Sequence, residues 1–357
     1  MPFRIVLDVT TSAVWSGPVA GIVRVEREFA KWALAHLGNV VFAFFDPDNR
    51  TFRHLSRDIL SRLLSEDAFV DVVRLTDTRR KRRRKTDRIP AAMRPFAMWL
   101  LQSRYMSLQA LERLRLTTQS PGIASLADAT QRAIINDKYA HKMIKADGSR
   151  WACFPSDIAL GHPIEFGKDD LLICTGAGWM DSDIKRITTL KRSSGCHFIL
   201  FCHDIIPLMF PQYFHEDEVE LHRTYWSLAF PAADLVIFGS RTAEKDVRSY
   251  CALHGITLRA TAVCSLGANA AATPPAKPLP VGLEPGRYAL LVGTIEPRKG
   301  HRLIYEAWKD LMASGIPQRA RFRRSHRRLV AATGKPLAYG LLSLLHFRGG
   351  PLSRPIL

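Results

Sequence analysis

The residues best placed to do chemistry lie in the segment VGTIEPRKGH, 292–301. An apolar run ends at Gly293, Thr294 follows, Pro297 tightens a turn, and Arg298 and Lys299 open a helical pattern. Free backbone N–H groups and the positive end of a helix dipole favour an anion there, and the two cations add charge where a diphosphate could lie. A second candidate is FCHDIIPLMFPQYF, 201–214, in which His203 and Asp204 follow an apolar run and precede Pro207. A histidine at a strand end beside a carboxylate can orient or polarise a hydroxyl. The alternative for His203 is a core histidine satisfied by backbone. The third is SGPVAG, 16–21, a glycine-bearing loop between a strand and a helix.

The elements that position these residues read as alternating strands and helices, hence as an α/β sheet. Residues 4–9 form a short apolar strand. Ile22, Val25, Phe29 and Trp32 then recur at helical spacing until Gly38, and 40–45 is a second buried strand. Three further apolar runs, LLICT (171–175), HFILFC (197–202) and LVIF (235–238), each lead into glycine or polar residues. Loops at the carboxyl ends of parallel strands have this composition when they carry a site. Ser240 is placed to cap a helix that Gly255 ends. A stretch with five prolines, 268–286, reads as a linker, after which 288–294 and the pattern from 301 begin a new βα unit.

Taken together, these segments resemble the GT-B glycosyltransferases of the large retaining family that includes bacterial mannosyltransferases. The likeness covers roughly residues 1–45 and 165–317. It implies two Rossmann-like domains, the first complete and the second only begun. The expected division is 1–267 for the acceptor-side domain, with 46–161 an irregular basic insert, and 268–286 for the linker. Residues 287–317 would start the nucleotide-sugar domain. The resemblance further implies that Arg298 and Lys299 hold the donor diphosphate, that Gly293 and Thr294 shape the turn, and that Gly21 lies near donor and acceptor. His203 and Asp204 would face the cleft as catalytic residues. The implied reaction moves a sugar, in the manner of GDP-mannose, to a glycan or lipid-linked acceptor with retention, without cofactor or metal. The alternatives are a non-catalytic remnant that binds acceptor or membrane, and a basic nucleic-acid-binding protein.

Charge weighs against the last of these. The formal charge of +18 is concentrated in Arg79–Lys85 (RRKRRRK) and in the stretch after Asp310, which holds eight Arg, one Lys and no acid. The rest is near neutral, and no aromatic-interleaved basic platform accompanies those runs. Arg79–Lys85 and the neighbouring MRPFAMWLLQSRYM read first as a solvated loop and an amphipathic helix packed on the core; the sharper alternative is a patch that rests on an anionic membrane surface. The six cysteines have no CxxC spacing and read as small buried hydrophobes of a reducing cytosol. No run approaches the ~20 apolar residues of a membrane span, and the N-terminus is no signal peptide, so a cytoplasmic or peripheral inner-face location is expected.

The resemblance breaks after Pro317. The family continues with an apolar strand and later an acidic element, whereas this chain reads QRARFRRSHRRLV. One codon choice for 318–330, read one base on, gives Ser-Ala-Leu-Val-Phe-Val-Gly-Arg-Thr-Gly-Gly-Trp. A frameshift near Pro317 is therefore the expectation for 318–357 as an aberrant basic tail. A poorly ordered segment after 281 is expected with it, because its apolar faces would lack a core.

Overall fold

The computed structural model describes residues 3–16, 19, 21–65, 68–71, 90–134, 151–267, 288–293, 296–313 and 319–324. The chain divides into two units, Met1–Gly267 and Ala268–Leu357. The basic run Arg79–Lys85, Thr294, and residues 268–286 and 325–357 lie outside the described residues.

In the first unit β1 (Arg4–Asp8) leads through α1 (Thr10–Val14) and α2 (Ile22–His36) to β2 (Val40–Asp46). The chain continues through β3 (Thr51–Leu55), α3 (Arg57–Leu64), β4 (Ala68–Asp71), α4 (Arg94–Thr117), α5 (Pro121–Ile134), β5 (Ala152–Pro155), α6 (Ser156–Ala159) and β6 (Leu160–Pro163). The remaining elements are β7 (Asp170–Cys174), α7 (Gly178–Asp181), α8 (Ile184–Ser194), β8 (His197–Cys202), α9 (Ile206–Met209), α10 (Glu216–Ala232), β9 (Leu235–Phe238), α11 (Arg241–His254) and β10 (Thr261–Val263).

Eight strands form one sheet in the order β10-β9-β8-β7-β1-β2-β3-β6. All neighbours from β10 to β2 are parallel, and β3 and β6 add antiparallel pairings at the far edge. Side chains alternate across the pleat, so both faces must be covered. Phe42 and Phe44 join Leu7, Ala30, Ala33 and Leu60 in one cluster, whereas Ala43 and Phe45 join Leu172, Leu200, Trp226 and Phe230 in another. That is a doubly wound, Rossmann-like α/β arrangement.

Local signals read from sequence hold here. Ser240 Oγ accepts from the Ala243 amide at 3.1 Å, and Gly255 ends α11 at φ 65°. Five cysteines are buried and Cys264 is exposed. Two readings need correction. Helix α2 forms where the apolar spacing predicts it but buries most deeply the face of Val23, Glu26, Arg27, Ala30 and Ala33; Ile22, Val25 and Phe29 are half-buried, and Trp32 is 56% exposed. A buried acid and guanidinium on that face disguise it as polar. The stretch 46–161, read as irregular, holds β3 to β6 and a helical hairpin. Its strands are four or five residues long, and β3 mixes Arg53 and His54 with Phe52 and Leu55, which leaves little periodicity to detect.

The second unit contains β11 (Tyr288–Gly293), α12 (His301–Ala313) and β12 (Arg319–Arg324). β12 pairs with β11 in parallel, from Tyr288 opposite Arg319 to Gly293 opposite Arg324. A strand therefore follows Pro317 although its sequence is RARFRR.

Candidate functional site

Strand order sets where a ligand can bind in the first unit. From β1 the chain moves to β2 on one side, while β7, on the other side of β1, begins the run to β10. The carboxyl ends of β1 and β7 thus flank a switch point, where the connecting loops diverge and leave a crevice.

Polar residues converge there. Asp8, at the end of β1, accepts from the Thr10 amide at 3.0 Å and the Thr10 hydroxyl at 2.5 Å. Thr10 Oγ1 in turn accepts from the Phe45 amide at 2.8 Å, which ties the turn to β2. Thr11 Oγ1 accepts from the Ala177 amide at 2.7 Å, joining the β1 loop to the β7 loop. Glu26 reaches the same point from α2. It has no solvent exposure, and its Oε1 accepts from the Ser12 amide at 2.6 Å. Its Oε2 has no hydrogen-bond partner among the described residues, nor have Ser12 Oγ and Thr175 Oγ1.

Burial, then the charge of Asp8, holds the Glu26 carboxyl well above the usual range. Burial likewise pushes Asp8 up to about 6, against the pull of its two Thr10 hydrogen bonds. Two buried carboxyls with raised pKa values cannot both ionise cheaply, so the site favours holding a proton.

His203 follows β8, on the same edge. Its Nε2 lies 2.8 Å from the Thr175 carbonyl oxygen. A carbonyl only accepts, so Nε2 carries the hydrogen and Nδ1 is left as an acceptor. Burial lowers the His203 pKa despite that bond and the charge of Asp204, which keeps the ring neutral at pH 7. The backbone bond weighed against a functional role is thus present, and it occupies only one nitrogen. A neutral imidazole held this way can accept a proton or a hydrogen bond from a hydroxyl. Asp204 spends one oxygen on the Ile206 amide, at 3.1 Å, at the start of α9.

Gly21 is the N-cap of α2 at φ 58° and ψ −129°. A Cβ there would meet nothing within 4 Å, so the requirement for glycine is conformational. Gly21→Ala should cost about 1–3 kcal/mol of stability through backbone strain alone. Chemical denaturation of wild type and variant, read by circular dichroism, measures it; equal midpoints would mean that the loop relaxes freely.

In the second unit Pro297–Lys299 is a single 3-10 turn ended by Gly300 at φ 65°, and α12 starts at His301. Lys299 is exposed, while Arg298 Nη2 pairs with Glu296 Oε2 at 2.7 Å. An arriving diphosphate would have to draw Arg298 from that pairing. Gly293 ends β11, opposite Arg324.

The first unit thus brings Gly21, His203 and Asp204 to loops at the carboxyl edge of one sheet. Sequence reading missed Asp8, Thr11, Ser12, Glu26, Thr175 and Gly176. The polar TTS after β1 and the GAG after β7 were the available signal. Nothing marked Glu26, because a lone acid within a helix usually lies on its solvated face. Among the described residues no group of three or more His, Cys, Asp or Glu could hold a metal ion. Likewise no helix among them is long and apolar enough to cross a membrane.

The fold and this edge define a Rossmann-like α/β protein with a polar switch-point site. Over 191 residues the chain is 25% identical to the serotype-specific mannosyltransferase WbdA of Escherichia coli, which covers 50% of this chain and 23% of that protein. Two further WbdA proteins of Escherichia coli are 28% identical over 176 residues, covering 45% of this chain and 22% and 21% of theirs. The chain thus matches less than a quarter of the length of these curated relatives. No protein-family model matches it, and no solved structure does. The similarity supports a glycosyltransferase relationship.

Proposed function

We propose that the chain is a GT-B glycosyltransferase that moves a sugar from a nucleotide-diphosphate donor, of the GDP-mannose kind, to a glycan or lipid-linked acceptor with retention. The observation that carries this reading is the switch-point edge of the first unit, where neutral His203 offers an acceptor nitrogen beside a glycine-capped helix. Similarity to a mannosyltransferase supports the choice of chemistry.

Transfer breaks the bond from the anomeric carbon to the phosphate oxygen and the O–H bond of the acceptor, joins that carbon to the acceptor oxygen, and passes the proton to the departing phosphate. Arg298, Lys299 and the amino end of α12 would stabilise the departing nucleoside diphosphate as its charge develops. Gly293 and Thr294 would shape the turn that admits it, and Gly21 would let the backbone come close to donor and acceptor. His203 would orient the reacting hydroxyl, with Asp204 holding the loop that carries it. Residues 268–286 would link the two domains. The setting is the cytoplasmic face of a membrane, with Arg79–Lys85 attracted to anionic lipid.

The test is turnover of GDP- and UDP-sugars by the purified 357-residue chain. Release of nucleoside diphosphate is expected, and Arg298→Ala/Lys299→Ala should lower it by about 100-fold, as when two charge-assisted contacts to phosphate are lost. Acceptor binding without turnover of any donor would instead favour the non-catalytic remnant.

A further inference from the structure

Helix α4 is apolar on two sides. One side faces the first unit, where Leu108 and Glu112 are buried. The opposite side carries Phe96, Trp99, Leu100, Met106 and Leu114, which are 44–61% exposed. At 100° per residue these five fall within a stripe about 120° wide. Ser103, Ser107 and Ala110 complete the stripe, so no charged residue lies on it. Phe96 and Trp99 stack at a centroid distance of 5.9 Å, out in solvent. A helix packed on one side normally turns polar residues to water on the other, and an apolar surface of this extent marks an interaction site.

Charge identifies the occupant. Seven consecutive cations, Arg79–Lys85, end five residues before Pro90, where the described chain resumes ahead of α4. A second copy of the chain docked on this stripe would bring two such runs toward each other, and like charges across an interface repel. An anionic bilayer surface attracts the same run. The stripe's Trp and Phe are the side chains that settle at the boundary of headgroup and acyl chain.

We propose that the stripe from Phe96 to Leu114 docks on the surface of a membrane containing anionic lipid. The basic run draws the chain to the bilayer, and the stripe enters its boundary layer. This goes beyond attraction of Arg79–Lys85 to lipid by assigning the apolar contact, and it does not depend on the transferase reading.

The test is sedimentation of the full chain with vesicles of phosphatidylcholine, alone or with about one third phosphatidylglycerol. Binding is expected to the anionic vesicles only, weakening as salt rises. Phe96→Ser/Trp99→Ser should lower the partition coefficient by about tenfold or more with the basic run intact. Leu100→Ser/Met106→Ser, an independent pair on the same stripe, should do the same. Unchanged circular dichroism is the check on folding for both. Wild-type binding by both variants would overturn the proposal, since charge alone would then suffice. So would failure to bind either vesicle, or a wild-type dimer that the variants render monomeric. Vesicle binding without sugar turnover would leave the docking face standing and count against the transferase alone.

Discussion

Gly176→Ala should destabilise the chain by about 3 kcal/mol. A Cβ at 176 would lie 2.0 Å from Glu26 Oε2, 2.3 Å from Thr11 Oγ1 and 2.8 Å from Thr11 Cβ. None of these is the loose end of a surface chain. Glu26 is fully buried and holds the Ser12 amide, and Thr11 holds the Ala177 amide. To admit one methyl group, the β7 loop must move away from β1 or one of those hydrogen bonds must break. For a unit of this size the melting temperature should fall by roughly 10 °C. Gly38→Ala is the control, because a Cβ there meets nothing within 4 Å, and it should stay within about 0.5 kcal/mol of wild type. In a double-mutant cycle, Gly176→Ala/Glu26→Ala should lose less than the sum of the single losses, because the second change removes the nearest obstruction. Additive losses would show that the carboxyl is not what excludes a side chain at 176.

The buried acid pair should make stability fall as pH rises. Asp8 and Glu26 both have folded pKa values above their unfolded ones. The folded chain therefore keeps protons that the unfolded chain gives up above about pH 4, and the slope of stability with pH is negative. The contribution is fully present below the unfolded values. It is lost through about 6 for Asp8, and as pH rises through the raised value of Glu26. Other groups oppose this over part of the range. Burial depresses His203, and His222 to about 4, so their share of stability increases with pH up to about 6.5. Asp46, Asp170 and Asp234, with lowered values, lose theirs only in acid. Wild type should therefore show a weak pH dependence where the acids and histidines oppose each other, and decline once the histidine contribution is complete.

Glu26→Gln separates these contributions. Glutamine keeps an oxygen for the Ser12 amide but cannot ionise, so the variant should gain on wild type progressively over the pH range in which the wild-type acid ionises. Urea denaturation across that range, followed by tryptophan fluorescence, measures it. Parallel curves for the two proteins would mean that Glu26 does not titrate with folding.

Strands β8 and β9 were legible to the residue, as unbroken apolar runs bounded by polar loops are. The capping of α11 by Ser240 and Gly255 was equally plain, because capping is a local matter of one hydroxyl and one positive φ. Elements with weak local signals were not. β3 and β6 complete the sheet through antiparallel edges, so neither carries the pattern of a strand buried on both faces. Residues 319–324 form a strand because β11 supplies an edge to pair with, a fact absent from RARFRR itself.

The amino-acid sequence alone determined the α/β class and the chain positions of β1, β2, β7, β8 and β9. It also determined the short polar loops at their carboxyl ends, with Gly21, His203, Asp204, Arg298 and Lys299 among the candidates. Each of those rests on residues adjacent in the chain. The tertiary structure decided which loops meet. Parallel pairing of β1 with β7 places Asp8 beside Cys174, whose partners in sequence are 166 residues away. Only that pairing brings Glu26, from one face of α2, against Gly176 and the Ser12 amide. An acid in a helix becomes a buried, proton-holding group through what surrounds it, and its surroundings come from strands whose order no local pattern encodes.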